Sequence, residues 1–161
     1  MINKNARILI VDDYFENTET MKAILEEEGY IVETANTGKE ALEKTDKRIY
    51  DLALIDVRLP DIEGVQLLGL IGDPIPKMRK IIITGYPTVP NIIDSVNKRA
   101  DAYLIKPVNM EEMLVLIKAQ LIKVKEERRI CEQKITEFIE KRMRALSQIN
   151  EKESEIVCVQ T

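Results

Sequence analysis

The sequence predicts an α/β fold in which a parallel β-sheet carries helices on both faces. Short β-branched apolar runs alternate five times along the chain with segments whose apolar residues have helical spacing. This alternation is typical of a parallel sheet built from right-handed crossovers. Four of the apolar runs end directly in a polar or charged residue, which suits the carboxyl edge of such a sheet, where ligands bind.

The predicted strands are of two kinds. Residues 8–11, 52–55, 81–83 and 102–105 are continuous apolar runs, as expected for strands buried on both faces, whereas residues 30–34 alternate. The polar groups that follow the four continuous runs are Asp12, Asp13, Asp56, Thr84 and Lys106. Because the carboxyl ends of parallel strands meet at one edge, we expect three carboxylates, one hydroxyl and one ammonium to converge there.

The helices are predicted from apolar spacing and from their end signals. Residues 16–28 form the first helix, which Gly29 ends, and Thr37 caps the second. A third helix follows Gly64, which we assign a structural role, and a fourth lies between strands four and five with Ile92, Ile93 and Val96 on its apolar face. Asn109 caps the fifth helix, and no Gly or Pro occurs after Pro107 to end it.

Length and composition indicate one globular domain with an appendage. The chain has 161 residues, 45% of them hydrophobic, and a net charge of −4. No apolar run approaches the ~18 residues of a membrane span, and residues 1–6 lack the apolar stretch of a signal peptide. With only two cysteines, a disulfide framework is not expected, so we predict a cytoplasmic protein.

The chain contains no histidine. This excludes Ser-His-Asp and Cys-His catalysis as well as histidine-ligated metals. It also excludes the chain as the phosphohistidine donor of a relay, so any phosphoryl chemistry must make it the acceptor.

A change in charge marks the appendage. Residues 1–117 have a net charge of −6, whereas residues 118–144 carry nine Lys/Arg and five Asp/Glu, a net of +4. We therefore predict a domain over residues 1–122 and a helical extension over 123–161, disordered at its end. Apolar residues with 3-4 spacing from Leu114 to Ile149 predict a coiled-coil seam, interrupted by Arg128 and Arg142. A homodimer would cover this seam; the alternative is a tail that folds back on its own domain.

Several motifs resemble the receiver domain of two-component response regulators, over roughly residues 6–122. They are the acidic pair Asp12-Asp13, the segment Leu54-Ile55-Asp56-Val57-Arg58-Leu59-Pro60 with Gly64 downstream, the hydroxyl of Thr84, and Tyr103-Leu104-Ile105-Lys106-Pro107. The resemblance implies a flavodoxin-like sheet with strand order 2-1-3-4-5. It also implies a phosphoacceptor, which takes a phosphoryl group from a sensor histidine kinase or a phosphotransfer protein.

Clustered carboxylates by themselves call for a cation. Two unit charges 4 Å apart repel by ~4 kcal/mol at an effective dielectric constant of 20, so the acids stay ionised together only if they share one. Carboxylate oxygens with room for water suit Mg²⁺, and Mn²⁺ is the alternative. The resemblance assigns direct ligation to Asp13, Asp56 and the backbone carbonyl of Arg58, and a water-mediated role to Asp12.

The remaining roles also come from the resemblance. Asp56 is the nucleophile, while Thr84 and Lys106 bind phosphate oxygens. Thr84 and the aromatic residue Tyr103 form the switch of a surface made by strand four, the helix after it and strand five, which signals to an unidentified protein. Pro107 matches a position that carries a cis peptide in the family; the sequence leaves the isomer here open.

Three other functions compete with this interpretation. An Asp-based, Mg²⁺-dependent phosphatase would need an acid or base two residues after the nucleophile, where this chain has Arg58. Nucleic-acid binding by residues 118–144 lacks a helix-turn-helix pattern and stacking aromatics, and five glutamates intervene. A receiver that only binds partners would not need the five-part site. We therefore expect no enzymatic activity other than self-phosphorylation and self-dephosphorylation, and neither nucleic acid nor a membrane as a partner.

Overall fold

The computed structural model describes residues 5–74, 76–88, 90, 93, 97 and 100–159. The elements with defined bounds among these residues are β1 Arg7–Val11, α1 Phe15–Glu27, β2 Ile31–Ala35, α2 Gly38–Lys47, β3 Leu52–Asp56, α3 Gly64–Leu70, β4 Arg79–Thr84, β5 Ala102–Ile105 and α4 Met110–Val159. The helix predicted between β4 and β5 lies largely outside the described residues, and so does much of the signalling surface that would include it.

The five strands form one parallel sheet in the order β2-β1-β3-β4-β5, which confirms the predicted topology. Alternate residues of each strand face opposite sides. One side packs with α1 and the first turns of α4, and its core includes Ile8, Ile10, Leu54, Ile83, Met21 and Ile117. The other side packs with α2 and α3, and its core includes Leu9, Val11, Ile55, Ile82, Ala41 and Leu67.

The helix ends follow the local signals in the sequence. Gly29 adopts a φ of 91°, a conformation that costs glycine little, and the chain turns out of α1 there. The Thr37 hydroxyl accepts a hydrogen bond of 3.1 Å from the backbone N–H of Glu40, and the Asn109 side chain accepts one of 3.1 Å from Glu112. These side chains satisfy N–H groups that have no partner within the first turn of a helix.

Gly64 allows α3 to begin close against the end of β3. A Cβ atom at this position would lie 2.0 Å from the carbonyl oxygen of Asp56. The Gly64 N–H also donates a hydrogen bond of 2.8 Å to the carbonyl of Val57. Any larger residue would therefore displace the backbone that carries Asp56.

The chain divides into two compact units, Met1–Lys125 and Glu126–Thr161. Helix α4 is continuous to Val159 and passes through the polar segment 151–155. Throughout the described residues, every helix is either too short or too polar to cross a membrane.

Candidate functional site

The register of the sheet brings the predicted polar residues to one edge. Val11 of β1 pairs with Ile55 of β3, and Thr84, the last residue of β4, pairs with Ile105 of β5. The residues at or just after these strand ends surround a pocket of about 360 Å³. Its lining consists of Asp12, Asp13, Tyr14, Asn17, Asp56, Val57, Arg58, Thr84, Gly85, Tyr86 and Lys106.

Asp12 is the most deeply buried acid of the pocket, with 1% of its surface exposed. Its Oδ1 accepts a hydrogen bond of 2.9 Å from the backbone N–H of Tyr14, which helps to start α1. Its Oδ2 is buried without a hydrogen-bond partner among the described residues. Burial raises the pKa of the Asp12 carboxyl, and the charges of Asp56 and Asp13 act in the same direction, against the Tyr14 hydrogen bond and the charge of Lys106.

Asp56 ends β3 and is 6% exposed. Its Oδ1 accepts a hydrogen bond of 2.9 Å from the backbone N–H of Arg58, and its Oδ2 accepts one from the Lys106 ammonium. The same ammonium lies 3.7 Å from the Oδ2 of Asp12. One cation therefore lies between the two buried carboxylates.

Lys106 directly follows β5 and is held in this position by a backbone hydrogen bond to β4. Its backbone N–H donates a hydrogen bond of 2.8 Å to the carbonyl of Thr84. Burial lowers the pKa of the Lys106 ammonium, but the hydrogen bond to Asp56 and the charges of Asp56 and Asp12 outweigh burial and raise it above its usual value. The side chain is therefore a fixed positive charge at neutral pH. The peptide bond from Lys106 to Pro107 is cis, which answers the question that the sequence left open.

Thr84 and the turn after it form the wall opposite the acids. The Thr84 hydroxyl is near the surface of the pocket and accepts a hydrogen bond of 3.2 Å from the backbone N–H of Tyr86. The guanidinium carbon of Arg58 lies 4.8 Å from the centre of the Tyr86 ring, a cation–π contact between the β3 and β4 loops. The Arg58 side chain is thus engaged with an aromatic ring.

Asp13 is exposed at the rim of the pocket, next to the buried Asp12. Within the described residues, no three carboxylate or thiol side chains approach closely enough to hold a metal ion by themselves. Magnesium needs fewer protein ligands, because it usually keeps several waters and takes one or two carboxylates. The partnerless Oδ2 of Asp12, the carboxylates of Asp13 and Asp56 and the nearby backbone of Arg58 form a donor set of this kind.

Two residues without a predicted role line the pocket, and two others lie away from it. Tyr14 and Asn17 line the pocket, and the signal for Asn17 was its place in the first turn of α1, which begins directly after the acidic pair. Tyr103 is 44% exposed on the edge strand β5 and does not line the pocket. Lys80 of β4 is almost fully buried away from the pocket. The sequence analysis missed it, because Lys80 directly precedes the apolar run 81–83 and does not lie within it.

Comparisons with known proteins agree with this architecture. Residues 8–118 match the family model of the response regulator receiver domain. The transcriptional regulatory protein ZraR of Escherichia coli O157:H7 is 33% identical over 121 residues, which cover 75% of this chain but only 27% of ZraR. This chain therefore spans about a quarter of that relative's length.

Two solved receiver structures are also similar to this chain. A CheY-like response regulator receiver domain protein from Methanospirillum hungatei JF-1 is 45% identical with a TM-score of 0.73, covering 76% of this chain and 98% of its own. The beryllofluoride-activated NtrC4 receiver domain dimer is 36% identical with a TM-score of 0.69, covering 73% and 98%. By its sequence, its sheet topology and these matches, the chain belongs to the response regulator receiver domain family.

Proposed function

We propose that the protein is a phosphoacceptor of a two-component phosphorelay, which takes a phosphoryl group from a phosphohistidine onto Asp56. The observation that carries this proposal is the arrangement of Asp56. The Asp56 side chain is a nearly buried carboxylate that lines an open pocket, and the Lys106 ammonium donates a hydrogen bond to one of its oxygens. A carboxylate placed in this way can serve as a nucleophile, while the fixed cation beside it stabilises the negative charge of the incoming phosphoryl group.

The proposed transfer breaks one bond and forms another. A carboxylate oxygen of Asp56 attacks the phosphorus in line with the bond to the imidazole nitrogen, and that nitrogen–phosphorus bond breaks. The imidazole carries a proton on its other nitrogen, so it leaves neutral, and an aspartyl phosphate remains. The Lys106 ammonium and the Thr84 hydroxyl are suited to bind the phosphate oxygens, because both line the same pocket as Asp56.

The acidic side of the pocket suits a divalent cation. Asp13 and Asp56, with the backbone carbonyl of Arg58, would ligate Mg²⁺ or Mn²⁺, and the partnerless oxygen of Asp12 would bind one of its waters. When bound, the cation neutralises negative charge on a phosphate oxygen. The carboxylates of Asp13 and Asp56 would hold the cation.

The proposed partners are the donor, a downstream protein and a second copy of the chain. The donor is a sensor histidine kinase or a phosphotransfer protein, and the downstream protein binds a surface that includes Tyr103, which is exposed before any phosphorylation. The second copy binds through the C-terminal helix. The NtrC4 relative was studied as an activated dimer, which supports self-association as a property of similar domains.

Neither phosphatase activity nor nucleic-acid binding is part of the proposal. The side chain two residues after Asp56 is the guanidinium of Arg58, which cannot act as an acid or base and lies over Tyr86. In the basic segment, Arg129 and Arg144 pair with Glu126 and Glu140 on the same helix. The relative ZraR is named a transcriptional regulatory protein. That this chain does not bind nucleic acid therefore stays a prediction.

Phosphorylation with a small acyl phosphate and Mg²⁺ tests the proposal. Intact-mass analysis is expected to find one added phosphate on the native chain and none on Asp56→Asn, because the amide is a poor nucleophile. Asp46→Asn is the matched control, since Asp46 is exposed in α2 and does not line the pocket. Undiminished labelling of Asp56→Asn would overturn the assignment, and sustained release of phosphate from phosphomonoesters would support the phosphatase instead.

A further inference from the structure

The C-terminal unit carries a long apolar face. Within residues 126–159, most of the exposed large apolar side chains lie on one broad stripe of α4, namely Ile135, Phe138, Ile139, Leu146, Ile149, Ile156 and Val159, whereas Ile130, Met143 and Val157 are exposed outside it. A single helix in water gains little stability from its backbone alone, and a helix with such a stripe normally packs it against another surface. The stripe therefore needs a partner.

The heptad positions show what kind of partner fits. Position a is occupied by Arg128, Ile135, Arg142, Ile149 and Ile156, and position d by Cys131, Phe138, Ala145, Lys152 and Val159. A parallel, in-register pair would place each of these residues opposite its own copy. Arg128, Arg142 and Lys152 would then each face their own copy, so three layers of the seam would set like charges together.

An antiparallel pair of the same helices avoids these layers. Reversing one helix places each a position opposite a d position, and setting Arg142 opposite Ala145 fixes the rest. The facing pairs are then Ile149 with Phe138, Ile156 with Cys131, Ile135 with Lys152, and Arg128 with Val159. Each cation of the seam then lies opposite an uncharged residue. In two of the layers, Arg142 with Ala145 and Ile156 with Cys131, a large side chain lies opposite a small one.

The positions beside the seam favour the same register. Lys134 lies opposite Glu155 of the other copy, and Ile139 lies opposite Leu146. The pairing of Ile139 with Leu146 would cover two exposed apolar residues that lie outside the a and d positions. The unfavourable pair is Glu132 opposite Glu153, on the flank of the seam opposite to that of Lys134 and Glu155.

We propose that α4 pairs with a second copy of itself in an antiparallel coiled coil centred between Met143 and Arg144. Residues 126–159 would overlap over about 50 Å at 1.5 Å per residue. This length exceeds that of the three to four heptads from which a coiled coil is recognised. This arrangement rests on the proposed homodimer but does not depend on phosphoryl transfer.

Disulfide trapping distinguishes the two orientations in the full chain. Cys158→Ser leaves Cys131 as the single cysteine, and this variant is expected to form no covalent dimer on oxidation, because the two Cys131 residues lie about 37 Å apart along the axis. Adding Ile156→Cys places a cysteine opposite Cys131, and we expect a covalent dimer. Ser154→Cys in the same background is the control, since residue 154 points away from the seam.

A charge exchange provides an independent measurement. Lys134→Glu is expected to raise the dimer Kd by about tenfold, because two Lys–Glu pairs become repulsive, and the added change Glu155→Lys is expected to restore it. In a parallel pair, residue 134 faces Ile139 and the second change would give no rescue.

The outcomes separate this arrangement from the proposals on which it rests. A covalent dimer through Cys131 alone would overturn the antiparallel pairing and leave the homodimer standing. A monomeric full chain by light scattering would overturn both. Phosphate labelling of Asp56 is unaffected by either result, so the phosphoacceptor function is judged on its own.

Discussion

Three aspartates of the pocket have the same side chain but different surroundings. Asp12 is buried and has one oxygen without a hydrogen-bond partner, whereas both oxygens of Asp56 accept hydrogen bonds from nitrogen donors and Asp13 is exposed. Burial disfavours ionisation of Asp12, and a nearby cation favours it. The three residues are therefore not interchangeable, and each substitution should have its own signature.

Asp13→Ala is expected to weaken Mg²⁺ binding by about tenfold or more, because it removes one of the two carboxylates that we assign as direct ligands. Titration calorimetry of the unphosphorylated chain measures this. Asp46→Asn is the control and should bind Mg²⁺ as the native chain does. An unchanged affinity in Asp13→Ala would show that the acidic pair serves another purpose.

The raised pKa of Lys106 also affects stability. Because the folded-state pKa lies above the ordinary value of 10.5, the ion pair with Asp56 stabilises the fold fully below about pH 10.5. The contribution is lost as the pH rises through the folded-state pKa. Across the physiological range the pair is intact, so Lys106 acts as a constant charge rather than as a pH switch.

Among the elements, the C-terminal end of α3 is bound by a lysine ammonium of the neighbouring strand β4. The Lys80 ammonium of β4 donates hydrogen bonds to the carbonyls of Ile71 at 3.2 Å and Leu68 at 3.5 Å, and to the Asp73 carboxylate at 3.0 Å. The last carbonyls of a helix have no partner within it, and a cation there interacts favourably with the helix dipole. A single lysine thus joins the end of α3 to the sheet.

Lys80→Met is expected to lower the free energy of unfolding by about 2–3 kcal/mol, because buried carbonyls and a carboxylate lose their donor. Urea denaturation measures the change. Lys47→Met is the matched control, since Lys47 is exposed at the end of α2, and it should change stability by less than about 0.5 kcal/mol. Equal stability of the Lys80 and Lys47 variants would contradict the role of the buried ammonium.

At the scale of the whole molecule, the pocket and the coiled-coil face belong to different units. All residues that line the pocket fall within Met1–Lys125, and the face of α4 that we propose to self-associate falls within Glu126–Thr161. The first unit also keeps the buried residues of α4, the last of which is Val124. Chemistry and assembly should therefore be separable.

A chain that ends after Lys125 is expected to accept one phosphate on Asp56 as the full chain does, but to be monomeric. Light scattering on a sizing column gives the mass, and intact-mass analysis gives the phosphate. A truncated chain that remains dimeric would place the dimer contact in the receiver. A truncated chain that fails to accept phosphate while remaining folded would show that the tail contributes to the pocket.

The sequence by itself determined the strands, the helices and the residues at the carboxyl edge of the sheet. The strand order was predicted from the resemblance to receiver domains and not from the linear pattern. Runs such as 52–55 are apolar because β3 is buried on both faces, and the polar residue that follows marks where the buried strand ends. The absence of Gly and Pro after Pro107 likewise predicted the long helix, which reaches Val159. These features depend on residues that are neighbours along the chain, so a linear pattern suffices to predict them.

Only the tertiary structure decided which of these residues touch. It places the Lys106 ammonium between Asp12 and Asp56, leaves one Asp12 oxygen without a hydrogen bond, and directs Lys80 to the end of α3. It also gives the reason for Gly64, whose missing side chain makes room for the backbone of Asp56. Each of these contacts joins segments that are distant in sequence, and the packing of the whole sheet sets its distances. A local pattern carries no information about them.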